Sequence, residues 1–542
     1  MSFAINYAKK EKLTMDSILF WNAVALEANR ISHSDPDKRE QNGPTLSSRA
    51  LAIVHLAMYD AYAGVENNAT TFPRYLPAPP PPPPGTSHQD AVAGAAFTTL
   101  SGLFRTQRDF FESQLSCFDT SSPSYTFGIK VGEAILDKRA NDPDARDCGY
   151  QSSPLRGRHR PDPDNPGQGF YSPFYGAQSK GFAISVRHAL DAPPFGNGDD
   201  PEYLAALREV RAKGIMPELT GTLPSAFFSK KRTPEESTIA IYWAYDGANR
   251  LGTPPRLLNQ IIRLVAMKQG NSEGDNARLF AFVNAAMGDA GILAWEQKYC
   301  HDFWRPVVGI REHDKSFGPA AKDKDAANKI SDDADPFWLP FGAPSTNTML
   351  KNFTPNFPAY PSGHATFGAA AFHITRLFYG IKKGDRKADK LFDGLAFVSE
   401  ELNGGNRDNK GTVRPRHVRN FKGGLWDMII ENAMSRIFLG VHWIFDAFAL
   451  KGGKPDFSRD VGGVPLGLNI AEDIFAFGAG KAPKMTPDGT AKPPITTPPA
   501  NSPMPTVPTQ PTSVGGCANT KTKAVEEPEM VKARYPSGTS PR

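Results

Sequence analysis

Three short segments, far apart in the chain, carry side chains whose types and spacing suit the binding of an oxyanion. The first is 298–306 (Lys-Tyr-Cys-His-Asp-Phe-Trp-Arg-Pro), the second is 361–364 (Pro-Ser-Gly-His), and the third is 435–446 (Ser-Arg-Ile-Phe-Leu-Gly-Val-His-Trp-Ile-Phe-Asp). Together they hold three cationic side chains (Lys298, Arg305 and Arg436), a histidine after a turn of small residues (His364) and a further histidine, His442. Cations can neutralise the oxygens of a tetrahedral or trigonal-bipyramidal oxyanion, while an imidazole nitrogen can bond to its central atom.

In the first segment, the spacing of two cations predicts that they share one face. Lys298 and Arg305 are seven residues apart, which is two turns of a helix, and Pro306 is expected to stop or bend that helix. An isolated pair of this kind is usually two solvated cations on an amphipathic helix. The neighbouring tryptophans, Trp295 and Trp304, favour a site that is partly removed from water.

The second segment has the residues of a helix start. Free backbone N–H groups and the positive end of the helix dipole favour an anion there, and Gly363 would let an oxygen approach its amide. Each residue also has an ordinary interpretation, since Ser362 could be only an N-cap and His364 only a structural histidine.

The third segment predicts a break within a helix. Arg436 and His442 are six residues apart, which would place them on different faces of an undistorted helix, so we expect Gly440 to interrupt it. Asp446 follows one turn after His442 and could accept the other ring N–H, which would fix the tautomer of the imidazole. The alternative is that Asp446 is an exposed acidic residue.

The composition limits the classes of function and partner. The chain has 542 residues with 62 Lys+Arg against 57 Asp+Glu. No basic stripe is interleaved with aromatic residues, so nucleic-acid binding is not predicted. No segment approaches the roughly 18 consecutive apolar residues that a membrane span requires, and the N-terminal residues lack the apolar core of a secretory signal.

The four cysteines do not form a metal or disulfide motif. Cys117, Cys148, Cys300 and Cys517 lie far apart, without a Cys-x-x-Cys pair. Cys300, inside the first segment, could be a redox thiol, but a packed free cysteine is the better interpretation.

Hydrophobic periodicity predicts a mainly helical chain. The predicted helices are 16–31, 47–64, 90–104, 126–140, 236–250, 255–268, 276–299, 365–379, 389–403 and 424–439. We expect long loops over 141–235 and a stiff connector at the proline run 79–84. The predicted architecture is all-α, with an N-terminal helical bundle (1–215), a C-terminal helical bundle that carries the site (216–480) and a disordered Pro-rich tail (481–542).

The order of the three segments, Lys-x6-Arg-Pro, then Pro-Ser-Gly-His, then Ser-Arg-x5-His-x3-Asp, resembles one superfamily. It contains the vanadium-dependent haloperoxidases, the bacterial class A acid phosphatases and the type 2 phosphatidic acid phosphatases. Further stretches resemble the fungal-type vanadium chloroperoxidases: 18–22, 48–51, 242–247, 252–256, 279–295, 357–368, 399–404 and 463–467. The resemblance covers most of residues 15–480.

The resemblance implies a vanadate cofactor and a role for each site residue. His442 would bond to vanadium, and His364 would sit at the apical vanadate oxygen and act as acid and base when peroxide enters. The vanadate oxygens would be held by Lys298, Arg305, Arg436, Ser362 and Gly363. Asp246 matches the family carboxylate that pairs with the arginine corresponding to Arg436. The catalytic residues that the resemblance implies are His364, Lys298 and Asp246. Trp295 and Phe357 match residues on the halide side.

The function predicted from the sequence is therefore the oxidation of chloride, and also of bromide and iodide, by hydrogen peroxide, followed by halogenation of small organic acceptors. The same pocket would suit phosphate, so a histidine-dependent acid phosphatase is the alternative enzyme. A protein that only binds oxyanions is the non-enzymatic alternative. Secretion is expected by family analogy alone, and the sequence does not indicate the oligomeric state.

Overall fold

The structure is a computed structural model that describes residues 16–143, 149–321 and 330–487. The α-helices in these ranges are α1 Ser17–Ser32, α2 Gly43–Glu66, α3 His88–Leu103, α4 Arg108–Glu112, α5 Pro123–Lys138, α6 Tyr175–Gln178, α7 Pro201–Lys213, α8 Ser225–Phe228, α9 Pro234–Tyr242, α10 Pro254–Gln269, α11 Glu273–His301, α12 Pro306–Arg311, α13 Gly363–Phe378, α14 Gly424–Phe438 and α15 Gly463–Phe477. Short 3-10 helices span Pro36–Lys38, Arg105–Gln107, Leu115–Cys117, Gly196–Gly198, Pro217–Thr222, Glu400–Leu402 and Ile444–Asp446.

The β structure of the described residues is one small hairpin. Strands β1 (Ala449–Lys451) and β2 (Lys454–Asp456) pair antiparallel, with Ala449 opposite Asp456. The predicted all-α class is therefore confirmed.

Local capping interactions fix where several helices begin. The side chain of Asp16 accepts a hydrogen bond from the Leu19 N–H at 2.8 Å, at the start of α1. Ser272 and Asp275 form a reciprocal capping box at the start of α11. These contacts satisfy backbone donors that would otherwise lack a partner at a helix end.

The long helix α11 is the centre of the packing. It packs against α2 on one side and against α13 on the other. The N-terminal helices α2, α3 and α5 pack together, and α13 packs against α14 and α15. Because α11 contacts both groups of helices, it links the part of the chain before the site to the part that carries it.

The contact between α13 and α15 is close because both helices present small residues. A Cβ atom added to Gly467 would lie 2.4 Å from the Thr366 carbonyl oxygen and 2.7 Å from the Cβ of Ala369. A larger side chain at this position would push the two backbones apart. The small-residue run that follows the Pro-Ser-Gly-His segment thus serves close packing.

Most of the predicted helices are confirmed, but two predictions are wrong. The segment predicted as 236–250 leaves the helix after Tyr242, and 389–403 is irregular apart from the 3-10 turn Glu400–Leu402. Helices α7 and α15 were missed. The first lies in the Pro- and Gly-rich stretch assigned to loops, where Asp200 caps it.

Helix α11 is long and apolar enough to cross a membrane, but 94% of its apolar window is buried inside the protein. It is a core helix of this fold, which also explains its lack of a polar face. The boundary at residue 215 stays a prediction. Cys148 and Cys517 lie outside the described residues, as does most of the predicted tail 481–542.

Candidate active site

The ends of α11 and α14, the start of α13 and the loops that follow them bring the three sequence segments to one buried place. Lys298, Arg305, Arg436, His364 and His442 are all buried, although all five end in charged or titratable groups that water would otherwise solvate. The hydrogen-bond partners of each side chain determine which ligand the site can hold.

Lys298 lies in the last turns of α11 and points into a ring of carbonyl oxygens. Its Nζ donates to the carbonyls of Pro358 at 2.9 Å and Ala359 at 3.0 Å, and also to the carbonyl of Pro361. Burial, and then the nearby charge of Arg305, hold the pKa of Lys298 well below its usual range. An anion in the site would favour the charged ammonium.

Arg305 does not continue the helix of Lys298, so that part of the prediction is wrong. Helix α11 ends at His301 because Asp302 adopts a left-handed backbone with φ of 51°, and Arg305 is the extended N-cap residue of α12. The two cations converge through this turn. A shared helix face does not bring them together.

The guanidinium of Arg305 is held on one side and free on the other. Its Nε donates to the carbonyl of Phe357 at 2.8 Å, and its Nη1 donates to the carbonyl of Val441 at 2.8 Å. Its Nη2 is buried and has no hydrogen-bond partner among the described residues. Burial, which outweighs the opposing charge of Asp446, lowers the pKa of Arg305 to about 9.

Arg436, in the last turn of α14, is paired with Asp246 through both terminal nitrogens, at 2.9 Å and 2.6 Å. Its Nε is buried without a partner within the described ranges. Two guanidinium groups therefore each keep one buried N–H unused, which costs free energy unless a ligand accepts a hydrogen bond from it.

The helix break expected between Arg436 and His442 is present. Helix α14 ends at Phe438, and Gly440 has φ of 73°, a left-handed conformation that favours glycine. A Cβ at Gly440 would also lie 2.4 Å from the Gly214 carbonyl oxygen. This turn carries His442 back towards Arg436.

The hydrogen bonds of His442 assign its tautomer. Nδ1 lies 2.7 Å from the carboxylate Oδ2 of Asp446, and Nε2 lies 2.9 Å from Nη1 of Arg305. Because the carboxylate accepts the Nδ1 proton and the guanidinium is itself a donor, Nε2 carries a lone pair. Burial, followed by the charge of Arg305, holds the pKa of His442 well below its usual range, so the ring is neutral.

Asp446 is buried rather than exposed. Its Oδ2 also accepts from the backbone N–H of Trp443 at 3.0 Å, which fixes the carboxylate. Burial raises the pKa of Asp446 to about 7, against the opposing charge of Lys298. The hydrogen bond from His442 therefore holds a carboxylate that water does not reach.

The start of α13 leaves backbone donors free. Ser362 is the N-cap, and its hydroxyl accepts from the N–H of Ala365 at 3.4 Å. The N–H groups of Gly363 and His364 make no hydrogen bond within the described part of the chain. A Cβ at Gly363 would lie 3.3 Å from the ring of Trp295, so glycine leaves room beside these donors.

His364 is held by a backbone carbonyl that the sequence did not indicate. Its Nε2 donates to the carbonyl of Ala244 at 2.6 Å and lies 4.0 Å from Oδ1 of Asp246. The other nitrogen, Nδ1, is consequently the acceptor. Burial, and then the charge of Arg436, lower the pKa of His364 to about 4.

A cavity of about 140 Å³ is bordered by Arg436, His442, His364 and Gly363, whereas Lys298, Arg305 and Ser362 do not line it. Trp295 and Phe357 form its apolar side, with ring centroids 4.8 Å apart. The ring of Phe357 also lies 5.2 Å from Nζ of Lys298 and 5.0 Å from the guanidinium carbon of Arg305. The site is thus a cationic pocket with one aromatic wall.

Sequence reasoning missed several residues of this wall. Tyr171 and Phe353 line the cavity from segments that have no chemical motif. His159 does not line the cavity, but it is buried near Arg305 and Lys298, whose charges add to burial in lowering its pKa. These residues belong to no sequence motif, so only the folded structure shows that they lie near the site.

Cys300 is a buried free cysteine, as favoured from the sequence. Burial raises the pKa of its thiol to about 12, so the thiol stays protonated. Cys117 is free and exposed.

The chain matches two family models. The vanadium chloroperoxidase N-terminal domain matches residues 7–169, and the VCPO second helical-bundle domain matches residues 278–453. The chain is also 35% identical over 590 residues to the vanadium chloroperoxidase of Curvularia inaequalis, an alignment that covers 87% of this chain and 92% of that relative.

Solved structures show the same fold. The first bacterial vanadium-dependent iodoperoxidase has a TM-score of 0.53 at 19% identity, covering 86% of this chain and 97% of that one. The apo-type bacterial vanadium-dependent chloroperoxidase has a TM-score of 0.53 at 16% identity, covering 84% and 98%. At these identities the likeness concerns the fold.

Proposed function

The chain belongs to the vanadium chloroperoxidase family, and from this premise we propose that it oxidises chloride with hydrogen peroxide in a vanadate-dependent reaction. Bromide and iodide are further substrates. The product, hypohalous acid, halogenates organic acceptors. For chloride, the O–O bond of peroxide breaks and an O–Cl bond forms, so that peroxide, chloride and one proton give hypochlorous acid and water.

One observation carries the proposal: buried donors without partners surround the lone pair of a neutral imidazole. Nη2 of Arg305 and Nε of Arg436 lack an acceptor among the described residues, and Nε2 of His442 carries a lone pair. The oxygens of an oxyanion would accept hydrogen bonds from the two free N–H groups, and a metal at its centre would replace Nη1 of Arg305 as the partner of the Nε2 lone pair. The residues present therefore fit vanadate.

We assign the individual contacts as follows. His442 would bond to vanadium through Nε2, and the oxygens would be held by Arg305, Arg436, Ser362 and Gly363. Lys298, whose three N–H groups donate to backbone carbonyls, would act through its positive charge. When bound, vanadate supplies a Lewis-acidic metal that polarises peroxide without a change of oxidation state. The three cations stabilise its negative charge in a site from which water is largely excluded.

His364 would move the proton of peroxide. Because the Ala244 carbonyl occupies Nε2, Nδ1 is free to accept a proton from incoming peroxide. Its pKa of about 4 keeps the ring unprotonated in mildly acidic solution. Asp246 lies 4.0 Å from the ring of His364 and accepts hydrogen bonds from Arg436, so it positions both side chains.

Phe357 and Trp295 exclude water from the halide side of the cavity. An apolar neighbour adds no further titrating group and leaves the cations less screened, which favours the oxidation of chloride, the least easily oxidised of the three halides.

We also propose that the enzyme is secreted. The support is family analogy alone, since proteins of this type are often extracellular. Comparing halogenating activity in the culture medium with that in washed cells of the source organism tests this, and activity confined to the cells would contradict it.

The decisive experiment is halogenation of a dimedone-type acceptor by peroxide and chloride, before and after addition of orthovanadate, with phosphate as competitor. We expect activity that vanadate restores and phosphate suppresses. Hydrolysis of p-nitrophenyl phosphate by the vanadate-free protein, without halogenation, would instead identify the phosphatase. Oxyanion binding without either reaction would contradict an enzymatic role.

A further inference from the structure

A second cavity adjoins the cationic pocket. It has a volume of about 270 Å³, and Asp246, Gly247 and Phe353 line both cavities. The cations Lys298, Arg305 and Arg436 do not line it. The two cavities are therefore neighbours that share part of their walls.

The walls of the second cavity combine flat apolar surfaces with hydrogen-bonding groups. Pro36, Leu350 and Phe353 provide apolar faces, while Ser34 and Thr348 provide hydroxyl groups. A ring can pack against an aromatic or proline face, and a few polar groups in an apolar site fix the orientation of a ligand. The mixture suits an aromatic ring with a polar substituent.

Two further side chains, Asn249 and Arg39, indicate that the polar substituent is a hydroxyl group. Asn249 lines the cavity, and the oxygen of its amide is buried without a hydrogen-bond partner in the described part of the chain. A ligand that brings a hydroxyl donor would supply the partner that this oxygen lacks. Arg39, exposed at the edge of the cavity, and the carboxylates of Asp35 and Asp246 also line it, so the site suits a neutral hydroxyl that can both donate and accept hydrogen bonds.

The size of the cavity sets the size of the ligand. Sites for drug-sized molecules have volumes of roughly 300–1,000 Å³, and this cavity, at about 270 Å³, lies just below that range. It therefore suits a molecule with one ring.

We propose that this second cavity is a binding site for a single-ring phenolic acceptor, which is halogenated there before hypohalous acid escapes. The inference rests on the proposed function, since that activity supplies the hypochlorous acid. A ring carbon of the phenol bonds to chlorine, the O–Cl bond breaks, and the hydroxide that leaves combines with the ring proton to form water. A bound ring would expose one position to the shared wall, so the product would be selective.

The variant that tests this is Leu350→Trp, because a larger side chain at the cavity edge obstructs the ligand. Leu350 is 69% exposed, so the substitution does not disturb the core. Met349→Trp is the matched control, since Met349 is the adjacent residue, is 76% exposed and does not line the cavity.

Binding is measured first, on vanadate-free protein, by ligand-observed NMR with phenol. We expect saturable binding whose dissociation constant rises about tenfold in Leu350→Trp and stays unchanged in Met349→Trp. This measurement needs no turnover, so it separates the acceptor site from the proposed function. Absence of saturable binding, or equal effects of the two substitutions, would overturn the proposal.

Selectivity is measured second, as the ortho-to-para ratio of chlorophenols formed by the loaded enzyme and by added hypochlorite. We expect the wild type and Met349→Trp to differ from hypochlorite, and Leu350→Trp to approach it while its rate with a dimedone-type acceptor is retained. A wild-type ratio equal to that of hypochlorite would show that the acceptor reacts in solution. Phenol binding without any peroxide-dependent halogenation would instead contradict the proposed function.

Discussion

The carboxylate of Asp246 holds both terminal nitrogens of Arg436 and leaves the Nε of the same guanidinium without a partner among the described residues. The two side chains are only 7% and 1% exposed. A two-pronged pair of this kind fixes the plane of the guanidinium. Asp246 thereby determines where the remaining donor points, and we infer that the remaining donor is kept for an oxygen of the bound anion.

Removing this carboxylate should destabilise the vanadate-free protein. In Asp246→Ala the guanidinium of Arg436 stays buried without a counter-charge, so we expect the free energy of unfolding to fall by about 3–5 kcal/mol. Urea denaturation measures the change, with Asp37→Ala, an exposed carboxylate, as control. Orthovanadate should restore part of the loss, because the anion supplies the missing charge. Equal stability of Asp246→Ala and wild type would contradict the role of the pair.

Asp446 should control vanadate affinity through His442. In Asp446→Asn the Nδ1 proton loses a charged acceptor, so Nε2 becomes a weaker ligand. The dissociation constant for vanadate should rise about 10- to 100-fold, as is common when the partner of a metal-bound histidine is removed. Titrating apo-enzyme activity with orthovanadate gives this constant, and thermal shifts with vanadate give it independently. An unchanged constant would show that the 2.7 Å contact has no effect on the metal bond.

The sequence predicted the parts of the site that depend on local chemistry. The N-cap position of Ser362 and the break at Gly440 follow from residue type and spacing, and both are present. Helices α1, α2, α5 and α11 were also predicted correctly, from their hydrophobic periodicity. Each of them buries one continuous apolar face or is buried throughout.

What the sequence could not predict depends on backbone geometry and on distant contacts. The prediction that Lys298 and Arg305 share a helix was wrong because Asp302 turns the chain. A single residue in the left-handed conformation leaves no periodic signal in the sequence. The carbonyl of Ala244 holds His364 from 120 positions away, and a backbone acceptor has no residue type that could indicate it. Helix α7 was missed because its Pro and Gly surroundings outweighed a short amphipathic pattern.

Phe357 should influence which halide is oxidised. Its ring covers Lys298 and Arg305 at 5.2 Å and 5.0 Å, so Phe357→His would bring a polar, titrating group beside both cations. We expect the ratio of chloride to bromide turnover to fall, since the better-solvated site polarises peroxide less. Phe357→Leu is the control, because it stays apolar and should keep the ratio closer to that of the wild type. The measurement is kcat/KM for each halide, and an unchanged ratio in Phe357→His would disprove the explanation.

The apparent KM for peroxide should depend on the protonation of His364. Burial and the charge of Arg436 lower its pKa to about 4, so Nδ1 can accept a proton above that pH and is occupied below it. The KM should therefore be constant at higher pH and rise by about tenfold per pH unit below the pKa. Bound vanadate favours the protonated ring, so in the loaded enzyme the bend should lie above pH 4. His364→Ala should show a higher KM with no such bend, measured by steady-state kinetics across mildly acidic pH at saturating vanadate. Identical pH profiles of the variant and the wild type would assign the proton to another group.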